Sequence, residues 1–343
     1  MKLESRYLQI VHWLEQCFPN TNIQLEPLTG DASFRRYYRV KVYEKKYILS
    51  DCPPDSGSIK PFCDMSEQYQ ACELKTPTVY QADLELGVML LEDFGNDHLI
   101  DIPTAKQTAY GEQAIDLLVK VRMLSESSTL QLPIYDHDFV QRELDIFTEW
   151  CVGVHCGITL SESEQQLFDT SYQILIGSAL AQPQAGMHRD YHSRNLMVLE
   201  CGQLGVIDHQ DSVCGPVTYD CVSLLRDCYR RLSDNEIELL AKRHYLQLKR
   251  EIQMKSESQD DSEKFTYETY IQWLDLMGVQ RHLKAAGIFC RLFHRDNKHG
   301  YLDALPLTLT YIVEIGMKYP QLQPLANWVQ QKVVNSLCKS QQR

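Results

Sequence analysis

An α+β architecture, with a small β-rich N-terminal lobe over residues 1–94 and a large helical C-terminal lobe over 95–343, follows from three features of the chain. Through most of the first 92 positions apolar residues alternate with period two, the mark of half-buried strands. From Ala105 onward they recur every three or four residues, the mark of helices. One β interlude, at 196–199 and 204–207 around Gly202, interrupts the helical part. A length of 343 residues suits about two lobes at roughly 150 residues each.

The elements follow in order. Leu3, Tyr7, Ile10, Val11, Leu14 and Phe18 fall on one helical face and predict an opening helix. Residues 22–28 and 34–42 read as strands, the second with Tyr38, Val40 and Val42 alternating against charged neighbours. Glu44-Lys45-Lys46 predicts a turn, with a third strand from Tyr47 that Pro53-Pro54 and Gly57 stop. A helix is expected over 64–72, and strands at 79–80 and 86–91. Helices are expected over 104–124, 139–156, 162–180 and 217–232, and helices continue to the end. The polar stretch 256–262 reads as a loop between two of them.

Charge and composition narrow the function. Arg and Lys number 34 against 46 Asp and Glu, a net charge of −12, so nucleic-acid binding would need a strong local basic patch. The 12 cysteines are scattered, with no CxxC pair and no zinc spacing, and read as buried free thiols in a reducing cytoplasm. No apolar run reaches the roughly 18 residues of a membrane span, and no apolar leader follows the N-terminus. The expectation is a soluble cytoplasmic protein with no nucleic-acid or membrane partner.

The chemistry concentrates at His188-Arg189-Asp190-Tyr191-His192-Ser193-Arg194-Asn195 and at Asp208, which ends the returning strand of the interlude. Phosphoryl transfer needs a base at the attacking hydroxyl and oxygen ligands for Mg²⁺. An Asp followed five positions later by an Asn sets both on one loop, and a second Asp completes the metal set. Asp190 is the candidate base; Asn195 and Asp208 are the candidate metal ligands. A second triplet, His294-Arg295-Asp296, has Asn297 at the wrong distance and no following strand, so Asp296 is a poor candidate.

Other stretches admit two readings. Gly30, Asp31, Ala32 and Ser33 form either an ordinary hairpin turn or a loop that offers N–H groups to phosphates. Glu92 and Phe94 end the last strand of the small lobe, where a connector would expose backbone groups to adenine. Asp220 is either a helix-start acid or a brace for the catalytic loop. Glu143, Phe147 and Trp150 share a face by helical spacing, which suits either core packing or sugar recognition. Arg291, His294, Arg295, Lys298 and His299 are either a solvated helix end or a basic wall for an anionic or hydroxylated substrate.

Together HRDYHSRN, IDHQD and LLEDFG resemble the aminoglycoside-phosphotransferase family of the protein-kinase-like bilobal fold. Within it, TGDASFRRYYRV, RELDIFTEW and RLFHRDNKHGYL are most similar to the bacterial anomeric kinases of cell-wall recycling, which phosphorylate the C1 hydroxyl of N-acetylmuramate and N-acetylglucosamine. The resemblance spans nearly the whole chain in order. It implies ATP as co-substrate, Mg²⁺ as cofactor, Asp190 as base, Asn195 and Asp208 as metal ligands, residues 30–33 over the phosphates and Glu92 to Phe94 at adenine. On this reading Glu143, Trp150, Arg291 and Arg295 meet the sugar, and His188 and Asp220 support the catalytic loop. The third strand departs from the family pattern, reading Tyr47-Ile48-Leu49-Ser50-Asp51 where a phosphate-steadying Lys is usual; Lys46, Lys60, Arg35 and Arg36 are the candidate substitutes. His209 stands where a large aromatic is common and reads as a packing residue. Two further classes stay open: a kinase of the same fold for an aminoglycoside, choline or homoserine hydroxyl, and a pseudokinase that binds nucleotide.

Overall fold

The computed structural model describes residues 2–28, 35–126, 130–255 and 265–340. The phosphate-loop candidates Gly30 to Ser33 and the polar stretch 256–262 lie outside them. The chain divides into two compact units, Met1–Asp97 with Met197–Gln210, and His98–Leu196 with Asp211–Arg343.

The first unit is built on α1 (Lys2–Cys17) and a five-stranded antiparallel sheet of β1 (Ile23–Leu28), β2 (Arg36–Val42), β3 (Lys45–Asp51), β4 (Val79–Asp83) and β5 (Val88–Glu92), in the order β1-β2-β3-β5-β4. Ile10 and Leu14 of α1 pack with Val40, Val42, Leu49, Val88 and Leu90. Ile59 and Phe62, the latter in α2 (Lys60–Ala71), pack with Cys52, Met89 and Leu91. Side chains alternate across a strand, so β5 is apolar from Val88 to Leu91 because both of its faces are covered there.

Lys45 and Lys46 belong to β3 rather than to the predicted turn. Tyr43 takes a left-handed φ of 54°, and the chain reverses within two residues, so Val42 pairs with Lys45 and Lys41 with Lys46. The strand expected over 86–91 starts at Val88, because Gly87 turns the chain with φ 70° and approaches Cys52 O so closely that a Cβ would lie 2.1 Å from it. The hairpin of Leu196–Val198 and Leu204–Val206 is grouped with this unit from Met197 onward: Val198 N–H donates to Asp97 O (2.7 Å) and Val206 N–H to Lys75 O (2.8 Å).

The second unit carries α3 (Thr104–Arg122), α4 (His137–Ile146), α5 (Glu162–Leu180), α6 (Tyr219–Leu225), α7 (Asp234–Lys255), α8 (Tyr267–Asp296) and α9 (Leu305–Gly316). Ser161 and Glu164 form a capping box that starts α5 where the sequence predicts it. The helix expected over 139–156 is α only to Ile146 and continues as a π-helix over Phe147–His155. Gly287 of α8 meets it at this junction, and a Cβ there would lie 2.4 Å from Ile146 O. Two four-residue strands, Gln184–Met187 and Val213–Pro216, pair antiparallel and escape the sequence pattern, each holding a glycine. The helix expected over 217–232 stops at Leu225, since Arg226 turns to an ion pair with Asp275 and Asp227 to the HRD loop.

Candidate active site

The HRD loop follows the strand Gln184–Met187 and is gripped at successive residues. Asp220, in the first turn of α6, accepts from His188 N–H (2.7 Å) and Arg189 N–H (3.0 Å). Arg189 is held at φ 76°, a left-handed conformation that costs a non-glycine residue energy and persists where surroundings impose it. Asp190 N–H donates to His188 Nδ1 (3.2 Å). Tyr191 donates its hydroxyl to Ala114 O (2.8 Å). Asp227 accepts from Ser193 N–H (2.9 Å), from its hydroxyl, and from Tyr229 N–H (2.8 Å). The Asn195 amide nitrogen donates to Asp190 O (2.9 Å), leaving the amide oxygen as a hard donor. Arg194 stacks on Tyr229, its guanidinium carbon 3.7 Å from the ring centroid.

Beneath the loop lies a buried ionic network that the sequence reading did not find. Glu143 of α4 is 4% exposed. Its carboxylate accepts from Tyr135 OH (2.5 Å), Gln280 Nε2 (3.1 Å) and Arg189 NH2 (2.7 Å), with Lys284 Nζ at 3.3 Å. Lys284 also donates to Tyr219 OH (3.1 Å). Burial pushes the Glu143 carboxyl up, but Lys284 and Arg189 outweigh it and hold it below its ordinary range. The same balance acts on Asp190: burial raises it, and Lys284, His192, Arg189 and His188 hold it well below the usual carboxylate range. Burial lowers His192 to about 4, so its imidazole is neutral at pH 7. Asp220 goes the other way, raised by burial.

The sequence reading set Glu143 and Trp150 against the substrate together. In the structure Glu143 is enclosed, its oxygens already taken by the groups that brace Arg189. The π-helix, with more than four residues per turn, breaks the spacing that put Trp150 on its face. Phe147 is fully buried against Phe168, and Trp150 is half-buried. At the end of α8, Arg295 is exposed and clamped by Asp296 (2.8 and 3.0 Å), His294 meets His155 (3.0 Å), and Arg291 is half-buried. Asn297 ends the helix at φ 54°, so the second HRD triplet is a helix terminus.

In the first unit Asp208 takes φ 62° and accepts from Gln210 Nε2 (2.9 Å). His209 is fully buried against Phe62 and Tyr69, with Nε2 2.8 Å from Ser66 Oγ, as a packing residue would be. Glu92 accepts from Lys75 (2.7 Å) and from Thr78 N–H and Oγ1 (3.2 and 2.8 Å), so its side chain fixes the strand end. Phe94 lies over Gly205, where a Cβ would come within 2.5 Å of the ring. Of the substitutes for the third-strand Lys, Lys60 pairs with Asp64 (2.7 Å), Arg36 with Asp51 (2.6 Å), and Lys46 is exposed. Arg35 lies 5.8 Å over the Phe62 ring, and Tyr37 feels both Arg35 and Asp208.

Among the described residues no group of three His, Cys, Asp or Glu side chains could cage a metal. An amide oxygen and a carboxylate are instead the sparse, hard donor set that Mg²⁺ takes when phosphates and water complete its shell. The residues fit that ion.

A five-stranded antiparallel sheet, a helical unit and an HRDxxxxN loop define a phosphoryl-transfer enzyme of the protein-kinase-like fold. Residues 24–253 match the phosphotransferase enzyme family, and the chain belongs to that family. It is 33% identical to an N-acetylmuramate/N-acetylglucosamine kinase of Neisseria meningitidis serogroup B, over 94% of both chains. It is 35% identical to a kinase of the same name from Pseudomonas putida, over 89% of this chain and 87% of that one. Among solved structures it is similar in fold to an ADP-bound aminoglycoside phosphotransferase, APH(2'')-Ib (TM-score 0.59, 13% identity, 90% of this chain and 98% of that one). It is similar also to the choline kinase LicA from Streptococcus pneumoniae (TM-score 0.60, 11% identity, 90% and 99%).

Proposed function

We propose that the protein transfers the γ-phosphoryl group of ATP to the anomeric C1 hydroxyl of N-acetylmuramate and N-acetylglucosamine, giving the sugar 1-phosphate for cell-wall recycling. The observation that carries this reading is Asp190, held ionised by buried cations on a loop braced by Asp220 and Asp227, in a chain about one-third identical to kinases named for these two sugars.

In this mechanism Asp190 accepts the proton of the C1 hydroxyl as that oxygen attacks the γ-phosphorus in line, and ADP leaves. Asn195 and Asp208 would hold Mg²⁺, which supplies charge neutralisation on the phosphates when bound. Residues 30–33 would cover those phosphates, and the backbone of Glu92 to Phe94 would meet adenine. Arg291 and Arg295 are assigned to the outer approach of the sugar. The buried cations near Asp190 disfavour a cationic acceptor such as an aminoglycoside or choline, since like charges in a desolvated site repel. Free thiols, and no helix among the described residues long and apolar enough to cross a membrane, suit work in the cytoplasm.

The test is ADP release with each sugar, followed by ³¹P NMR of the product. Loss of the reducing end with a phosphate on C1 is expected. Phosphate on another hydroxyl, or turnover of kanamycin and neither amino sugar, would refute the proposal. Asp190→Asn should lower kcat by about 10²–10⁴-fold, the usual range for a general base, with ADP affinity unchanged.

A further inference from the structure

The long helix α8 buries several polar side chains, and nearly all are satisfied by partners of opposite kind. Gln280 donates to Tyr135 OH (2.9 Å) and to Glu143 (3.1 Å). The His282 nitrogens face Gly278 O and Arg226 O. Lys284 has Glu143 and Tyr219, and Asp275 has Arg226. Arg281 differs. It is 5% exposed, yet among the described residues its one hydrogen bond goes from NH1 to Cys228 Sγ at 3.5 Å. Among the described residues no carboxylate lies within ion-pair distance of it, whereas buried charges are as a rule paired. A guanidinium carries five N–H donors, and a thiol is a weak acceptor for one of them. Among the described residues its other N–H donors have no hydrogen-bond partner, and an oxyanion is the group that would match them.

Its place says which oxyanion. Arg281 sits within the electrostatic reach of Asp190, Asp227 and Tyr219. Beside it, Cys228, Phe289 and Ala304 form an apolar cluster with Tyr229 and Tyr301 packed against it. A sugar whose hydroxyl meets Asp190 would lie towards Tyr229 and Tyr301, the half-buried members of this cluster. The two sugars differ in one respect: N-acetylmuramate carries a lactyl ether that ends in a carboxylate, and N-acetylglucosamine does not. We propose that Arg281 receives the lactyl carboxylate of N-acetylmuramate and sets the preference between the two acceptors. This rests on the amino-sugar kinase reading above. The basic residues at the end of α8 are less well placed: with a rise of 1.5 Å per residue, Arg291 lies roughly 15 Å and Arg295 roughly 21 Å further along the axis.

The test compares both sugars on wild type, Arg281→Gln and Arg281→Lys, with thermal melting to check the fold. In Arg281→Gln, kcat/KM for N-acetylmuramate should fall roughly 10- to 100-fold through KM, the range of a lost charge-assisted hydrogen bond. N-acetylglucosamine and ATP should change by less than about threefold, and Arg281→Lys should recover part of the muramate loss. If Arg281→Gln fails to fold, wild-type enzyme supplies a second arm, and the methyl ester of N-acetylmuramate should show a KM raised by a similar factor. Equal losses on both sugars would overturn the proposal and put Arg281 on the transferred phosphoryl group or in the fold. An unchanged muramate KM, or an ester as good as the acid, would overturn it too. Wild-type enzyme that phosphorylates neither sugar would instead remove the amino-sugar reading itself, and this proposal with it.

Discussion

Replacing Glu143 by Gln keeps shape and removes one charge. The buried carboxylate balances Lys284 and Arg189 and accepts from Tyr135 and Gln280. After the change both cations keep their burial and lose their counter-ion. The donors of Tyr135 and Gln280, aimed at one oxygen, must share the surviving amide oxygen with Arg189 or face an NH₂ group. Breaking a buried ion pair by removing one partner costs about 3–5 kcal/mol, against a total stability of about 5–15 kcal/mol for a domain. Arg189 would also lose the anchor that helps hold its left-handed backbone, so activity should fall with stability. Urea unfolding followed by fluorescence and circular dichroism measures the loss, and a double-mutant cycle with Lys284→Met isolates the pair. A coupling of about 1–3 kcal/mol is expected for residues in contact within one network. A loss below about 1 kcal/mol, with additive single effects, would refute the view that this network holds the loop.

Two further outcomes follow from the same geometry. Lys284 is the largest influence lowering Asp190 after burial opposes it, so Asp190 is ionised through the neutral range and well into acid. Its depressed value puts the acid limb that Asp190 sets well below the ordinary carboxylate range. Lys284→Met should move the acid limb of the kcat/KM profile to higher pH; an unmoved limb with lowered rate would make Lys284 structural only. Asp296→Asn touches only an exposed contact with Arg295, so kcat should stay within about twofold. A collapse of kcat with the fold intact would mean that the second HRD triplet is the working one.

The parts of the site that share a short stretch of chain were legible in the sequence, because their relation is a matter of spacing. The HRDxxxxN loop is one such stretch, and Asp220 could be joined to it by its place at a helix start. The network below the loop was not legible. Lys284 and Glu143 are 141 positions apart, and along α8 Arg281 and Lys284 look like polar breaks in an apolar stripe. The basic residues at the end of α8 drew attention instead, since they are adjacent in sequence, but adjacency on a helix terminus brings solvent and local partners. The π-helix was illegible for a related reason. It begins where α8 comes closest, at Gly287, and periodicity read from one segment carries no account of its neighbour. The strand pair Gln184–Met187 and Val213–Pro216 was too short and glycine-bearing for alternation to register.

Gly287 has a consequence for how this gene can vary. It carries no chemistry, yet one turn before it on α8 stands Lys284, and one turn before its contact Ile146 on α4 stands Glu143. The distance between those two charges is thus set by the missing methyl group at position 287. Any other residue there would wedge the helices apart at Ile146 and stretch the ion pair three positions away. In a saturation library selected for growth on the enzyme's activity, position 287 should be as barren as the HRD loop. Second-site revertants should shorten or reshape side chains along the α4–α8 seam and leave the first unit untouched.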